Sequence, residues 1–410
     1  MPGQSPQLPT GYWPSPRLLR VTALIALSAF IGMTFAHLRT ETAYGLTADG
    51  SFAFGDDFIN FWSAPRLALL GRVGEIYDFA KFHEFEMGVL GGPISLYHYS
   101  YPPVMFMLSL PIAFLPYLPG LAVWFFGGVA IFGATVRAAW PVASPDWRDV
   151  ALYAIAAPAV FLNAMTGQNG TWLAGVLGGG LMLMSRRPIL AGVLFGLLVV
   201  KPQMAFLLPF ALLAGRRWQT LFATAACAAL LLAAATLVFG IERWAEYSRQ
   251  VEALRPRVLE DGTNFWYLFT SVFVSIRHLP APVSSAYVAQ AVVGVMALAA
   301  VVYAWRGTGP QPAKNAALVM GTFFATPYIQ VYDLAVAMLV PLWLMQIGLP
   351  RRTILFGSVP LILAPLAVPL VAYRLDAEIG PLLLLPALIV AVHASVALDV
   401  PERRQAAQHA

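Results

Sequence analysis

Residues 167–203 read GQNGTWLAGVLGGGLMLMSRRPILAGVLFGLLVVKPQ. An apolar run over 169–184 is cut by Arg186-Arg187, and a second over 188–200 is cut by Lys201-Pro202-Gln203. A third, 203–214, follows at once. None reaches the roughly 20 apolar residues that cross a bilayer upright. Such stretches read as half-helices or hairpin arms around a cavity, with Lys201 at or near one tip. Broken helices survive at membrane depth only where protein or a water-filled space satisfies the backbone.

The rest of the chain agrees. Of 410 residues, 59% are apolar and 11% charged, against roughly 25% charged in soluble domains. Mean hydropathy is +0.71. These values exclude a disordered chain, a nucleic-acid-binding domain and an ordinary soluble enzyme. The 33 Gly and 32 Pro mark short turns and broken helices. Further apolar runs span Leu18 to Leu38 and lie near 103–136, 150–162, 219–240, 265–276, 284–305, 315–327, 331–348, 353–372 and 381–398. The fold class is an all-α polytopic membrane protein with about 11 to 13 membrane segments. The regions 103–136, which carries Pro111, Pro116 and Pro119, and 263–305 each read as either one crossing or two. Residues 1–400 form a single membrane domain, and 401–410 a short cytoplasmic tail. The single cysteine, Cys227, sits in an apolar run and reads as a small buried hydrophobe, so no disulfide framework exists.

Charge sets the orientation. Arg17 and Arg20 precede the first run, which places the N-terminus in the cytoplasm. Arg186-Arg187, Arg216-Arg217, Arg351-Arg352 and Arg403-Arg404 lie on the same side if Lys201 and Asp333 lie outside. The inner segments then hold 14 basic against 4 acidic residues, net +10, and the outer segments net −5, which together give the formal +5. The sequence pI of 9.3 therefore reports positive-inside asymmetry, not a nucleic-acid surface.

Residues 39–102 form the first outer loop, and five polar clusters collect on that side. Polar groups at membrane ends are functional candidates because lipid makes them expensive. The first cluster, GDDFINFWSA at 55–64, begins a helix over Asp57–Leu70 that reads as amphipathic and interfacial. Either Asp56 or Asp57 is able to cap it. The second, YHYSYPP at 97–103, offers His98 and Tyr101 and reads equally as an aromatic belt before a proline-started helix. The third, NAMTGQNGTW at 163–172, concentrates Asn163, Gln168 and Asn169 in one turn. The fourth is Lys201-Pro202-Gln203, where Lys201 either snorkels or holds an anion. The fifth, TPYIQVYD at 326–333, brings Tyr328, Gln330, Tyr332 and Asp333. Asp333 either pairs with Arg374, caps the next helix or lines a polyol site. None of these contains a nucleotide-binding glycine loop or a Cys/His metal set. A carboxylate, a lysine and many amides and hydroxyls suit a base acting on a hydroxyl while a cation holds a phosphate leaving group.

At these residues the chain resembles glycosyltransferase family 87, within the GT-C superfamily. The resemblance rests on GDDFINFWSAPRLALLGRVGEIYD, the YPP motif, the long block from GQNG to KPQ, and ATPYIQVYDL, roughly residues 50–345. It implies a GT-C-type helical bundle with its active site at the extracytoplasmic face, here of a bacterial cytoplasmic membrane; the charge pattern leaves both termini in the cytoplasm. It implies a polyprenyl-phosphate sugar donor, typically of mannose, and a lipid or glycan acceptor. The catalytic acid of the first outer loop maps onto Asp57, with Asp56 as a second carboxylate beside it. By position and chemistry, Lys201, Gln168 and Asn169 are assigned to the donor phosphate. His98, Tyr101, Asn163, Gln203, Tyr328, Tyr332 and Asp333 are assigned to sugar or acceptor. No cofactor, metal or nucleic acid is assigned, and membrane lipids are the remaining partners. The alternative is a transporter or flippase of lipid-linked sugars, which also uses broken helices around a polar cavity.

Overall fold

The computed structural model describes residues 20–21, 23–32, 47–48, 52–141, 146–262 and 266–397. Arg17, Arg403, Arg404 and the expected tail 401–410 lie outside them, as does most of 39–51. In chain order the helices are α1 (Ala23–Gly32), α2 (Phe58–Leu69), α3 (Phe79–Leu90), α4 (Pro103–Leu108), α5 (Leu110–Ala113), α6 (Tyr117–Ala138), α7 (Trp147–Ala156), α8 (Pro158–Met165), α9 (Gly170–Leu183), α10 (Pro188–Gly196), α11 (Leu208–Ala214), α12 (Trp218–Phe239), α13 (Glu242–Arg255), α14 (Val272–Arg277), α15 (Val283–Arg306), α16 (Gln311–Ala325), α17 (Val340–Gln346), α18 (Arg351–Leu375) and α19 (Gly380–Ala397). Two strands, β1 (Thr47–Ala48) and β2 (Phe52–Ala53), pair antiparallel. The protein is an all-α polytopic membrane protein.

Among the described residues, α6, α12, α15 and α18 are long and apolar enough to cross a membrane. The pair α7 and α8 makes a fifth span if its 55° bend is counted as one break. That bend falls at Ala157, which is extended because the ring of Pro158 disfavours helix at the residue before it. Six shorter apolar stretches accompany them, including Pro188–Val200 and Pro202–Ala214 on either side of Lys201.

The two ambiguous regions each contain a single helix of spanning length. Proline at the first turns of α4 and α5 divides residues 103–113 into two short pieces, and only α6 is long enough to cross. Among the described residues of 263–305, the short α14 precedes α15, again the only one of that length.

The centre of the bundle is α16 and the stretch Val331–Gln346, where nearly every residue is buried. These elements need not span lipid because protein surrounds them on all sides. Around them, small residues bring helices together. A Cβ on Gly192 or Gly196 of α10 would collide with Ala223 or Cys227 of α12, the close approach that small residues permit between membrane helices. Cys227 is only partly buried there, not enclosed as expected, and its Sγ lies 3.4 Å from the Val193 carbonyl oxygen.

The helix expected at 57–70 forms as α2, but it does not lie half-exposed at an interface. Phe58 through Pro65 and Leu67 are all buried. Its sequence, FINFWSAPRLAL, is apolar on nearly every side, and such a helix is buried all round. The amphipathic helix of this region is α3, which buries Phe82, Glu86 and Leu90 at four-residue spacing and is capped by Asp78.

Two ends of the bundle are distinguishable. At one, Arg20 bonds Asp149 at 2.7 Å and Asp146 at 3.0 Å, Arg217 bonds Gln311 at 3.0 Å, and Gln346 reaches the Ala139 carbonyl at 3.0 Å. These segments are the ones that the charge pattern groups on one side. Helix α6 runs from there to the other end, where the Tyr117 hydroxyl donates to the Phe54 carbonyl at 2.7 Å.

Candidate active site

The turn before α2 is tight. Gly55 and Asp56 both have positive φ, 89° and 48°. This turn docks on the GQNG turn between α8 and α9. The Asp57 backbone N–H donates to the Thr166 carbonyl at 3.2 Å. Gly167, at φ 59°, lies so close that a Cβ would overlap the Gly55 carbonyl oxygen. On its other side the GQNG turn meets the 330 segment, and a Cβ on Gly170 would overlap the Tyr332 carbonyl oxygen. The two glycines therefore fit the turn between the first loop and the centre of the bundle.

Asp57 stands at the N-cap of α2, yet its side chain does not cap the helix. Instead Gln168 Nε2 donates to Asp57 Oδ2 at 2.5 Å, and Asn60 Nδ2 donates to Oδ1 at 3.3 Å. The Tyr101 hydroxyl donates to Gln168 Oε1 at 2.9 Å, the end of the amide left over by the carboxylate. Burial pushes the Asp57 carboxyl up to about 6, against the opposing pull of Gln168, Lys201 and Asn60. Asp56 accepts the Tyr97 hydroxyl at 2.9 Å, and that hydroxyl in turn accepts the Ala53 N–H at 3.0 Å. The two carboxylates thus face different partners.

Lys201 falls in the break between 197–200 and 202–205, as the Lys-Pro step demands. It does not snorkel. Its side chain is 6% exposed, and Nζ lies 2.5 Å from Asp333 Oδ1 and 5.0 Å from the Tyr332 ring centre. The other Asp333 oxygen accepts the Gln330 N–H at 3.2 Å, so Asp333 caps its own segment and pairs with Lys201, not with Arg374.

These groups meet in a cavity of about 350 Å³. Of the residues assigned from sequence, Asp56, Asp57, His98, Tyr101, Gln168, Lys201, Gln203, Tyr328 and Tyr332 line it. Asn163, Asn169 and Asp333 do not; all three are buried behind the lining. Asn163 donates to Thr171 at 3.3 Å, and Asn169 packs against the Tyr101 hydroxyl. His98 packs edge-on against Phe79, and burial with nearby Arg257 holds its imidazole below its usual range. Among the described residues no three His, Cys, Asp or Glu side chains group to hold a metal ion.

One wall was not anticipated. Tyr247, Val251, Leu254 and Arg255, on one face of α13, line the cavity together with Val258. The stretch ERWAEYSRQVEALR is charged and reads as a solvated surface. Its signal was the 247, 251, 254, 258 spacing of apolar groups within a polar segment.

A multi-pass helical membrane protein with a buried carboxylate, tyrosines and cations around one terminal cavity is the class that fold and site define. Residues 99–327 match the family model of glycosyltransferase family 87, and the chain belongs to that family. It is a membrane glycosyltransferase. The match takes in Tyr101, the GQNG-to-KPQ block and α13, whereas Asp57 precedes it and Tyr328–Asp333 follow it. No curated protein and no solved structure matches the chain.

Proposed function

We propose that the protein transfers a hexose, with mannose the first to test, from a polyprenyl-phosphate sugar to a hydroxyl of a lipid or glycan. The reaction takes place at the extracytoplasmic face of a bacterial cytoplasmic membrane, with both termini in the cytoplasm. Asp57 is the general base. It takes the proton of the acceptor hydroxyl while that oxygen forms a bond to the anomeric carbon. The bond from that carbon to the phosphate oxygen breaks, its electron pair leaves with the polyprenyl phosphate, and the configuration inverts. A phosphate departs without an acid's help, so one carboxylate suffices.

The observation that carries this reading is Asp57 itself. It is a cavity-lining carboxyl with an acidity near 6, oriented by an amide that a tyrosine hydroxyl locks in place. A base of that strength is mostly ionised at neutral pH and still accepts a proton effectively.

The test is transfer of radiolabelled mannose from polyprenyl-phosphate-mannose to membrane lipids by purified protein and its Asp57→Asn variant. Transfer by the wild type and a loss of about 10²-fold or more in the variant support the reading. Full activity in Asp57→Asn overturns the assignment of the base. A wild type inert toward every polyprenyl-phosphate sugar overturns the donor assignment and makes a lipid translocation assay the next experiment.

A further inference from the structure

The donor proposed above arrives as a phosphodiester anion attached to a long apolar chain, and the cavity must offer it a cation. Two line the wall, Lys201 and Arg255. They differ in what already surrounds them. Lys201 is enclosed, paired with Asp333, and its charge also acts on Asp57. That one ammonium is thus shared between two carboxylates, Asp333 and Asp57.

Arg255 is situated otherwise. It closes α13, its side chain is 50% exposed, and an ion pair runs from its Nε to Glu260 at 3.3 Å. That pair engages Nε, on a half-exposed guanidinium that lines the cavity, and a guanidinium grips a phosphate through paired N–H bonds. The residues on the same helix face are Val251 and Leu254, with Val258 on the next turn and Leu96 and Leu268 also in the lining. A charged head beside Arg255 would therefore have apolar wall next to it for the chain that follows.

We infer that Arg255 holds the phosphate of the lipid-linked donor and that Lys201 is a positioning residue, tying the 201 break to Asp333 and tuning Asp57. This rests on the donor class proposed above. The ligand chemistry is a phosphate on an isoprenoid chain.

The experiment measures binding of farnesyl phosphate in detergent micelles to the full chain, with inorganic phosphate as a second probe, alongside the pH profile of transfer. Arg255→Gln weakens farnesyl phosphate binding by about tenfold or more, as loss of a charge-assisted bond should, and Arg255→Lys recovers part of it. The double variant Lys201→Met with Asp333→Asn, which removes the buried pair without leaving a lone charge, binds within about threefold of wild type. Its transfer profile shifts to higher pH, because Asp57 loses the ammonium that lowers its pKa. Unchanged binding in Arg255→Gln, or a tenfold loss confined to the double variant, overturns the inference while the donor assignment stands. Displacement of farnesyl phosphate by equimolar inorganic phosphate overturns the role of the apolar wall. Absence of any farnesyl phosphate binding by wild type overturns the donor class, and the role of Arg255 with it.

Discussion

Gln168 reaches across 111 residues of sequence to donate a 2.5 Å hydrogen bond to Asp57, and it does so with only one possible face. An ionised carboxylate only accepts, so the amide nitrogen is the end turned toward it, and the carbonyl oxygen takes the Tyr101 hydroxyl. The first loop supplies the acid, the segment before α4 supplies the lock, and the GQNG turn supplies the amide. Each comes from an element that packs for its own reasons, and the carboxylate is oriented only when all three are in place. That is how the carboxylate at a buried helix start faces Gln168 instead of capping its own helix.

The acidity of Asp57 sets a pH profile. Only the ionised carboxylate accepts a proton, so transfer should rise with pH through about 6 and level off above it. Measuring kcat between pH 4.5 and 8.5 checks this. A rate independent of pH across that range would show that Asp57 does not carry the proton.

Gln168→Leu keeps volume and removes the bond that holds the carboxylate ionised. Losing a donor to the charged form raises the Asp57 pKa further. The midpoint of the same profile should move upward, and the rate at pH 6 should fall more than the rate at pH 8. Tyr101→Phe should give a smaller shift in the same direction, because it frees the Gln168 amide to rotate.

Glu86 lies fully buried on α3, and neither of its oxygens has a hydrogen-bond partner among the described residues. Burial, with the Asp57 charge adding to it, holds its carboxyl well above the ordinary 4.5. The folded chain therefore keeps a proton that the unfolded chain releases. The stabilisation is complete below about 4.5 and is lost as pH rises from there through the folded value, at about 1.4 kcal/mol per pH unit in that interval. Glu86→Gln removes the titration. Its melting temperature in detergent should match wild type near pH 5 and exceed it at pH 8. Equal loss of stability with pH in both proteins would show that Glu86 is ionised in the fold.

The fold class and part of the candidate site were legible because lipid writes them plainly. Apolar runs of spanning or half-spanning length, broken by Arg pairs and by Lys201-Pro202, marked the bundle, and the GQNG turn and Asp57 stood out as polar groups where polarity is costly. Contacts across the fold were not legible. The Lys201–Asp333 pair spans 132 residues, and Arg374 was an equally good partner on charge alone. Arg255 escaped notice because a charged helix is usually a solvated one, and its cavity face shows only when the bundle closes around it. The burial of α2 was missed because aromatic side chains suit a membrane interface as well as a core: Phe58 and Trp62 pack against Tyr117, and Phe61 stacks on Trp124.

The glycines of the GQNG turn give the sharpest test of how the site is assembled. Gly167 has φ 59°, and a side chain there would overlap the Gly55 carbonyl oxygen and stand 2.6 Å from the Phe58 nitrogen. The left-handed conformation alone costs a residue with a Cβ about 1–2 kcal/mol, and the overlap forces the Asp57 turn away from Gln168. Gly167→Ala should therefore lower both the melting temperature and kcat. Gly88, exposed on α3 with nothing within 4 Å of a Cβ, is the control. Gly88→Ala should leave transfer unchanged and stabilise the chain by about 0.5–1 kcal/mol, the ordinary gain for removing glycine from a helix. A Gly167→Ala protein with wild-type kcat would mean that the turn has room to yield, and that the close approach of Gly55 is not what aims Asp57 at Gln168.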